Sequence, residues 1–338
     1  MKVGVNNNRK GLVILAVLWT VVVLMVIVAV LGRKSRLDMK VCMARMDAVR
    51  GKWACRAGVE KAVAVLNEDE TENDTLLDTW SDNDEDFNDV MLERCLFNIR
   101  VVDEASKLNI NFATKDQLMG LPYMLEEIAD AIIDWRDTDD MPSGAGVESG
   151  YYEGLELGYM ARNGPFRTIR ELLLVKDVTD ELFYGEDTNF NGQLDYNEND
   201  GDESPPNDDG DTELDLGWIA YLTCYTPDEK VNVNTAPEAV LTALLGGDDE
   251  AVRTALEIIN YRENAENGIE KPSDLTDNGV MSDSDFSKIE DYLTVSSDVF
   301  TVYCVAAADR NGTPGAQSQT EVVINRSSRP YEVLFLYQ

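Results

Sequence analysis

From Leu12 to Leu31 the chain reads LVILAVLWTVVVLMVIVAVL, twenty residues without one charged side chain. A helix of that length rises ~30 Å, about the thickness of the hydrocarbon core of a bilayer. A cleaved secretory signal looks different: its apolar core is about 7–15 residues long and a small-residue A-x-A cut site follows. Here Arg33, Lys34 and Arg36 follow. The run is a membrane anchor, and the rest of the fold must hang from it. Lys2, Arg9 and Lys10 precede the run while Arg33, Lys34, Arg36 and Lys40 follow it, so positive charge does not set its orientation.

The 338 residues carry 29 Lys/Arg, 64 Asp/Glu and no histidine. Residues 1–40 hold seven of the basic groups and one acid, which leaves 22 bases against 63 acids, a net −41, on the remainder. Such a body repels phosphate backbones and anionic lipid, and favours solvation or divalent cations. Without histidine no Ser-His or Cys-His dyad forms, and no other catalytic pairing is recognisable, so an enzyme is not expected. The five cysteines (Cys42, Cys55, Cys95, Cys224, Cys304) include no C-x-x-C, which removes redox and zinc motifs. One or two disulfides and buried unpaired thiols both stay open.

Beyond the span the helical pattern continues without a breaker. Cys42, Met46, Val49 and Trp53 fall at i, i+4, i+7 and i+11, and Val59, Ala62, Val63 and Leu66 carry an apolar stripe further. The spacing predicts one long helix, half in lipid and half under a globular head. Residues 67–89 are acidic and read as a loop. LERCLFNIRVVDE alternates as a strand does, and DVFTVYCVAAAD, QTEVVINRS and PYEVLFLYQ do the same near the other end, with RNGTPG and SSRP as turns. The fold class expected is therefore α+β. A long N-terminal helix lies on an antiparallel sheet drawn from residues 68–107 and 290–338, with 108–289 inserted between them as a helical region. Residues 32–67 form the amphipathic stem.

The insertion contains a repeat. LNINFATKDQL at 108–118 returns as VNVNTAPEAVL at 231–241; AIIDWRD at 131–137 returns as EIINYRE at 257–263; GPFRTIREL at 164–172 is echoed by IEKPSDL at 269–275. Thr114 with Gln117, and Thr235 with Glu238, fit capping boxes. The pattern resembles helix-hairpin-helix modules, which commonly present hairpin backbone N–H groups and a basic residue to DNA phosphate. The hairpin turns MGLPYMLEE and LLGGDDEA lack the usual glycine pair and carry acids. Phosphate contacts need Lys or Arg to release counterions, so no nucleic-acid partner is expected.

The sharpest local motif is DTNFNGQLDYNE at 187–198. Asp187, Asn189, Asn191, Gly192, Asp195 and Glu198 occupy positions 1, 3, 5, 6, 9 and 12 of a twelve-residue calcium loop, with Gln193 giving the carbonyl at position 7. Hard oxygens on alternate residues, a glycine for the sharp turn and a closing bidentate acid are what Ca2+ needs. The following NDGDESPPNDDGDTELD is too rich in Pro and Gly for an exiting helix, so the motif is a clamp rather than a sensor. A second set, Asn207, Asp209, Asp211 and Asp215, has Thr212 at the glycine position and Trp218 at the closing acid. It reads equally as a second ion site or as outer charge.

Taken in order, KG before LVILAVLW, AGVEKA at 57–62, KLNINFAT, IIDWRDTDD, YYEGL, NGPFRTIREL and VNVNTAPEAVL make the sequence resemble the type II secretion system protein K family, the large minor pseudopilin. The resemblance implies a pilin-like head with a large helical insertion, calcium in that insertion, and a site in the inner membrane with the head in the periplasm. It implies a leader, residues 1–11, removed by the prepilin peptidase at Gly11–Leu12, with Leu12 then N-methylated. Most pilins carry Glu at mature position five; here that position is Ala16, as in this family. An unpaired carboxylate in lipid is costly. A subunit with no neighbour above it gains nothing from one, which suits the tip of a pseudopilus among other minor pseudopilins. A plain, uncleaved signal anchor explains Ala16 as well. The alternative function is a membrane-anchored helix-hairpin-helix DNA-uptake receptor, separable by a test for salt-sensitive DNA binding.

Overall fold

No proline falls between Asn8 and Glu68, and in the computed structural model one helix, α1 (Asn8–Glu68), runs through all 61 residues. The structure describes residues 8–69, 72–81, 83–187, 194–199, 201, 210–309, 314–328 and 330–337. After α1 come the short α2 (Asp84–Phe87), then β1 (Val90–Leu92) and β2 (Cys95–Asp103). The head closes with β7 (Val299–Asp309), β8 (Pro314–Asn325) and β9 (Glu332–Tyr337). These five strands form one antiparallel sheet in the order β1-β2-β7-β8-β9.

Alternation along β2 sorts its two faces. Cys95, Phe97, Ile99 and Val101 are buried toward α1, while Leu96, Arg100 and Val102 stand on the opposite face and are only partly covered. From α1 the core receives Ala54, Cys55, Val59, Ala62, Val63 and Leu66, against Phe300, Val302, Cys304, Ala306, Val322 and Ile324 of β7 and β8. Helix and sheet approach closely because small residues line the contact. A Cβ on Gly58 would stand 2.6 Å from the Cys304 sulfur, and one on Gly51 would collide with the Ser318 hydroxyl. All five cysteines are unpaired, and Cys55, Cys95 and Cys304 are buried, so the thiols act as small apolar groups.

The residues between β2 and β7 fold as two related units with their own core. The first is closed by a parallel pairing of β3 (Leu108–Asn109) with β4 (Leu222–Thr223), the second by β5 (Val231–Asn232) with β6 (Leu293–Thr294). Between β3 and β4 lie α3 (Lys115–Met119), α4 (Glu126–Arg136), α5 (Ser149–Glu153) and α6 (Asp180–Tyr184). Between β5 and β6 lie α7 (Glu238–Leu245), α8 (Asp249–Asn264), α9 (Asp274–Asp277) and α10 (Asp283–Ile289). The capping box of Thr114 with Gln117 forms at α3. The one expected at Thr235 and Glu238 does not. Pro237 caps α7 without a side-chain bond, because the Thr235 hydroxyl donates at 2.6 Å to the buried Asp103 carboxylate instead.

Asp103 and Glu104, at the end of β2, fasten the insertion to the sheet. Asp103 accepts from Thr235, from the Asn232 amide at 3.0 Å and from the Ala105 N–H at 2.7 Å. Glu104 pairs with Lys107 at 2.8 Å and accepts from Thr301 at 2.6 Å and from Thr223. On the far face of the sheet, Arg170 bridges to Glu321 at 2.5 Å and lies over the Tyr337 ring. The sheet is thus covered by α1 on one side and by the insertion on much of the other.

Candidate assembly face and metal loop

The part of α1 outside the sheet contact is bare. Its most apolar stretch has a mean hydropathy of 3.2 and buries none of its residues inside the protein. Below the span the first half of the stem stripe stays uncovered: Met46 is 49% exposed, Val49 58% and Trp53 61%. The second half, Val59 to Leu66, is the half that meets the sheet. Gly11 lies within α1, and Leu12, the residue after it, is exposed. An apolar helix face that continues past a bilayer-length run is suited to packing against other helices of the same kind.

The calcium motif starts where the two ends of an acidic excursion are pinned together. Gly185 bridges Leu216, the Glu186 N–H donates to the Asp215 carbonyl at 2.9 Å, and the Asp215 N–H donates to the Glu186 carboxylate at 2.9 Å. Asp187 is buried, with Arg100 of β2 at 3.8 Å. Glu198 is fully buried and accepts from the Asp195 N–H at 3.2 Å, closing a turn over Tyr196–Glu198. Two buried carboxylates, each several residues from the other, are what a loop that wraps an ion must provide. Asn189, Asn191, Gly192 and Gln193 lie outside the described residues, as do Asn207 and Asp209 of the second set. Asp211 turns an oxygen to the Glu213 N–H at 2.7 Å, and Asp215 accepts from Tyr123 at 3.3 Å.

Sequence reasoning singled out the aromatic-Arg ends of α4 and α8 but not their use. Arg136 donates to the carbonyls of Ile110 and, at 2.6 Å, Ala113. Arg262 donates to Val233 at 2.9 Å and Ala236 at 2.7 Å, the matching carbonyls of the second unit. Burial lowers both guanidinium groups, Arg262 to about 10, still well charged at neutral pH. The second asparagine of each N-x-N is equally fixed. Asn111 exchanges two bonds with Phe166, and Asn234 exchanges two with Ile269. The signal was present in the repeat itself, since Asn and Arg recur together; only their partners were hidden.

The hairpin turns also face inward. A Cβ on Gly120 would sit 2.6 Å from the Ala243 Cα, so the first turn packs on the second unit. Residues that would greet a phosphate here are Glu126, Glu127, Asp248, Asp249 and Glu250, at the first turns of α4 and α8. The arginines are occupied and the turns are acidic.

Two family models described as Type II secretion system (T2SS), protein K match the chain, over residues 96–184 and 231–296. The first covers β2 through α6; the second covers the whole of the second unit. A chain in the crystal structure of the GspK-GspI-GspJ complex from the enterotoxigenic Escherichia coli type 2 secretion system superposes with a TM-score of 0.57. It is 15% identical, and the match covers 90% of this chain and 98% of that one. At that identity the likeness is one of fold. No curated protein matches the sequence.

Proposed function

Because the chain belongs to the type II secretion system protein K family, a family of minor pseudopilins, we propose that it sits at the tip of a periplasmic pseudopilus and starts or caps that fibre. The observation that carries the reading is the division of α1. One segment is spent on the sheet, while the apolar segment from Leu12 to about Trp53 has no partner within its own chain, which supports assembly through that helix. The insertion adds a second layer across the sheet, and such breadth would obstruct another subunit stacking beyond it. Ala16 in place of a glutamate agrees with a subunit that has no neighbour above.

The rest of the reading follows from that place. The leader is cut at Gly11–Leu12 by the prepilin peptidase, Leu12 is N-methylated, and the span stays in the inner membrane with the head in the periplasm. The similar chain was crystallised with GspI and GspJ, which supports two other minor pseudopilins as partners of this one. One calcium ion, held by Asp187, Asn189, Asn191, the Gln193 carbonyl, Asp195 and Glu198, screens the acids of the excursion; its part is structural. The DNA-receptor reading has no support from the arginines, which are buried and bonded to carbonyls.

The test is co-purification of the full chain from membranes with the other minor pseudopilins of its own secretion system. Val21→Asp or Leu24→Asp should abolish the complex and pseudopilus initiation, since a charge there is costly in lipid and spoils helix packing. Retention of the complex by both variants would place the assembly contact elsewhere.

A further inference from the structure

We propose that Asp134, Asp137 and Glu148 form a divalent-cation site of the calcium class in the first unit of the insertion, separate from the 187–198 loop. One carboxylate oxygen from each lies within 4.8 Å of the other two. Oxygens that share a Ca2+ at about 2.4 Å are at most ~5 Å apart, so the three can meet one ion. A group of acids alone would mean little. The second observation is Glu148: only 6% of it is exposed, and both its carboxylate oxygens are buried without any hydrogen-bond partner among the described residues. Buried carboxylates are normally paired, and this one is aimed at two more of its own sign.

The local fold brings this about deliberately. Asp134 is fully buried in the last turn of α4 and Asp137 is its C-cap, where the helix carbonyls already make the potential negative. Arg136, the basic residue between them, points away to the carbonyls of Ile110 and Ala113. Among the described residues no Lys or Arg pairs with any of the three acids. The chain then turns back over α4. The Ser143 N–H donates to Asp134 at 3.0 Å and the Ala145 N–H to Asp130 at 2.9 Å. Gly146 passes so near Asp134 that a Cβ there would collide with its carboxylate, and two residues later Glu148 arrives. Asp140, Glu148, Ser149 and Met160 line an open cleft that gives access, and the Ser149 hydroxyl is also buried without a partner.

A contrast shows that such clustering does not of itself call for an ion. Asp69, Asp74 and Asp78 are equally close, but Arg326 stands among them at 2.5 Å from Asp74 and 3.3 Å from Asp69. There the protein supplies its own cation. At Glu148 it supplies none. The donor set is all oxygen, with no histidine in the chain and no thiol in the group, which selects a hard divalent ion over zinc or copper. The competing account is that Glu148 is simply protonated; burial and the neighbouring Asp134 push its carboxyl up to about 7.

The experiment is calorimetric titration of the chelator-stripped full chain in detergent at pH 8 with CaCl2, and separately with MgCl2. Glu148→Gln should lose one equivalent of calcium per chain relative to the natural protein, and the calcium-induced rise in melting temperature should shrink. Glu198→Ala, in the other loop, should leave that equivalent in place. Asp137→Asn, at a partly exposed helix end where folding is not at risk, should weaken the same equivalent by about tenfold or more. If Glu148→Gln and Asp137→Asn both bind calcium with natural stoichiometry and affinity, the proposal is overturned and Glu148 is a protonated core group.

Discussion

At the scale of single residues, the insertion is held by side chains that answer backbone carbonyls. Arg262 supplies two charge-assisted bonds at 2.7–2.9 Å to carbonyls that no other group reaches in the described contacts. Arg262→Met should therefore cost on the order of 3–5 kcal/mol, the bonds lost plus two carbonyls left dry. Thermal unfolding followed by circular dichroism checks this; a loss under ~1 kcal/mol would mean water takes the arginine's place. The calcium loop makes a second residue-scale prediction. An ion at a hundred times its dissociation constant adds ~2.7 kcal/mol by mass action, so chelation should lower the melting temperature of the head. Glu198→Ala should reproduce that loss and be insensitive to chelator. Identical melting of the natural protein with calcium and with chelator would reduce the motif to a solvated turn. What the sequence concealed at this scale is instructive. The repeat displayed Asn and Arg in register, yet a linear chain does not say whether an arginine meets phosphate or carbonyl. Glu148 was hidden because only the return of residues 143–146 over α4 brings it to Asp134.

At the scale of elements, periodicity carried the long helix and the five-stranded sheet, since both are regular enough to leave a pattern. The stem stripe was legible as apolar but not as divided, because a helix that meets a sheet and one that meets another subunit use the same spacing. The close parallel pairs β3–β4 and β5–β6 were not legible at all; two residues are too few to show a period. Thr235 was misassigned for a related reason: propensity favoured a cap, and the buried Asp103 outbid it from another element. The division of α1 makes opposite predictions for its two faces. Gly58→Val pushes methyls against Cys304 and Phe97, and should destabilise the head by ~1–3 kcal/mol through overpacking. Trp53→Glu changes an exposed residue and should leave stability within ~0.5 kcal/mol while weakening association with the other minor pseudopilins. Urea unfolding and co-purification of both variants separate the roles. A Trp53→Glu protein that still assembles normally would remove the stem from the assembly face.

At the scale of the whole molecule, an anchor, a stem shared between two duties and an acidic two-unit insertion add up to a subunit built to be placed at one end of an assembly. Every part of that account depends on α1 being processed like a pilin and then offered to neighbours. The anchor itself was plain in the sequence, as was the family resemblance, because a bilayer demands a length and an apolarity that few other environments do. Its processing leaves no mark on the fold. The most direct measurement is the N-terminus of the full chain isolated from membranes, read by mass spectrometry of its first peptide. The account predicts a chain beginning at N-methylated Leu12, cut after Gly11. A chain beginning at Met1 would contradict it and leave an anchored scaffold outside any pseudopilus.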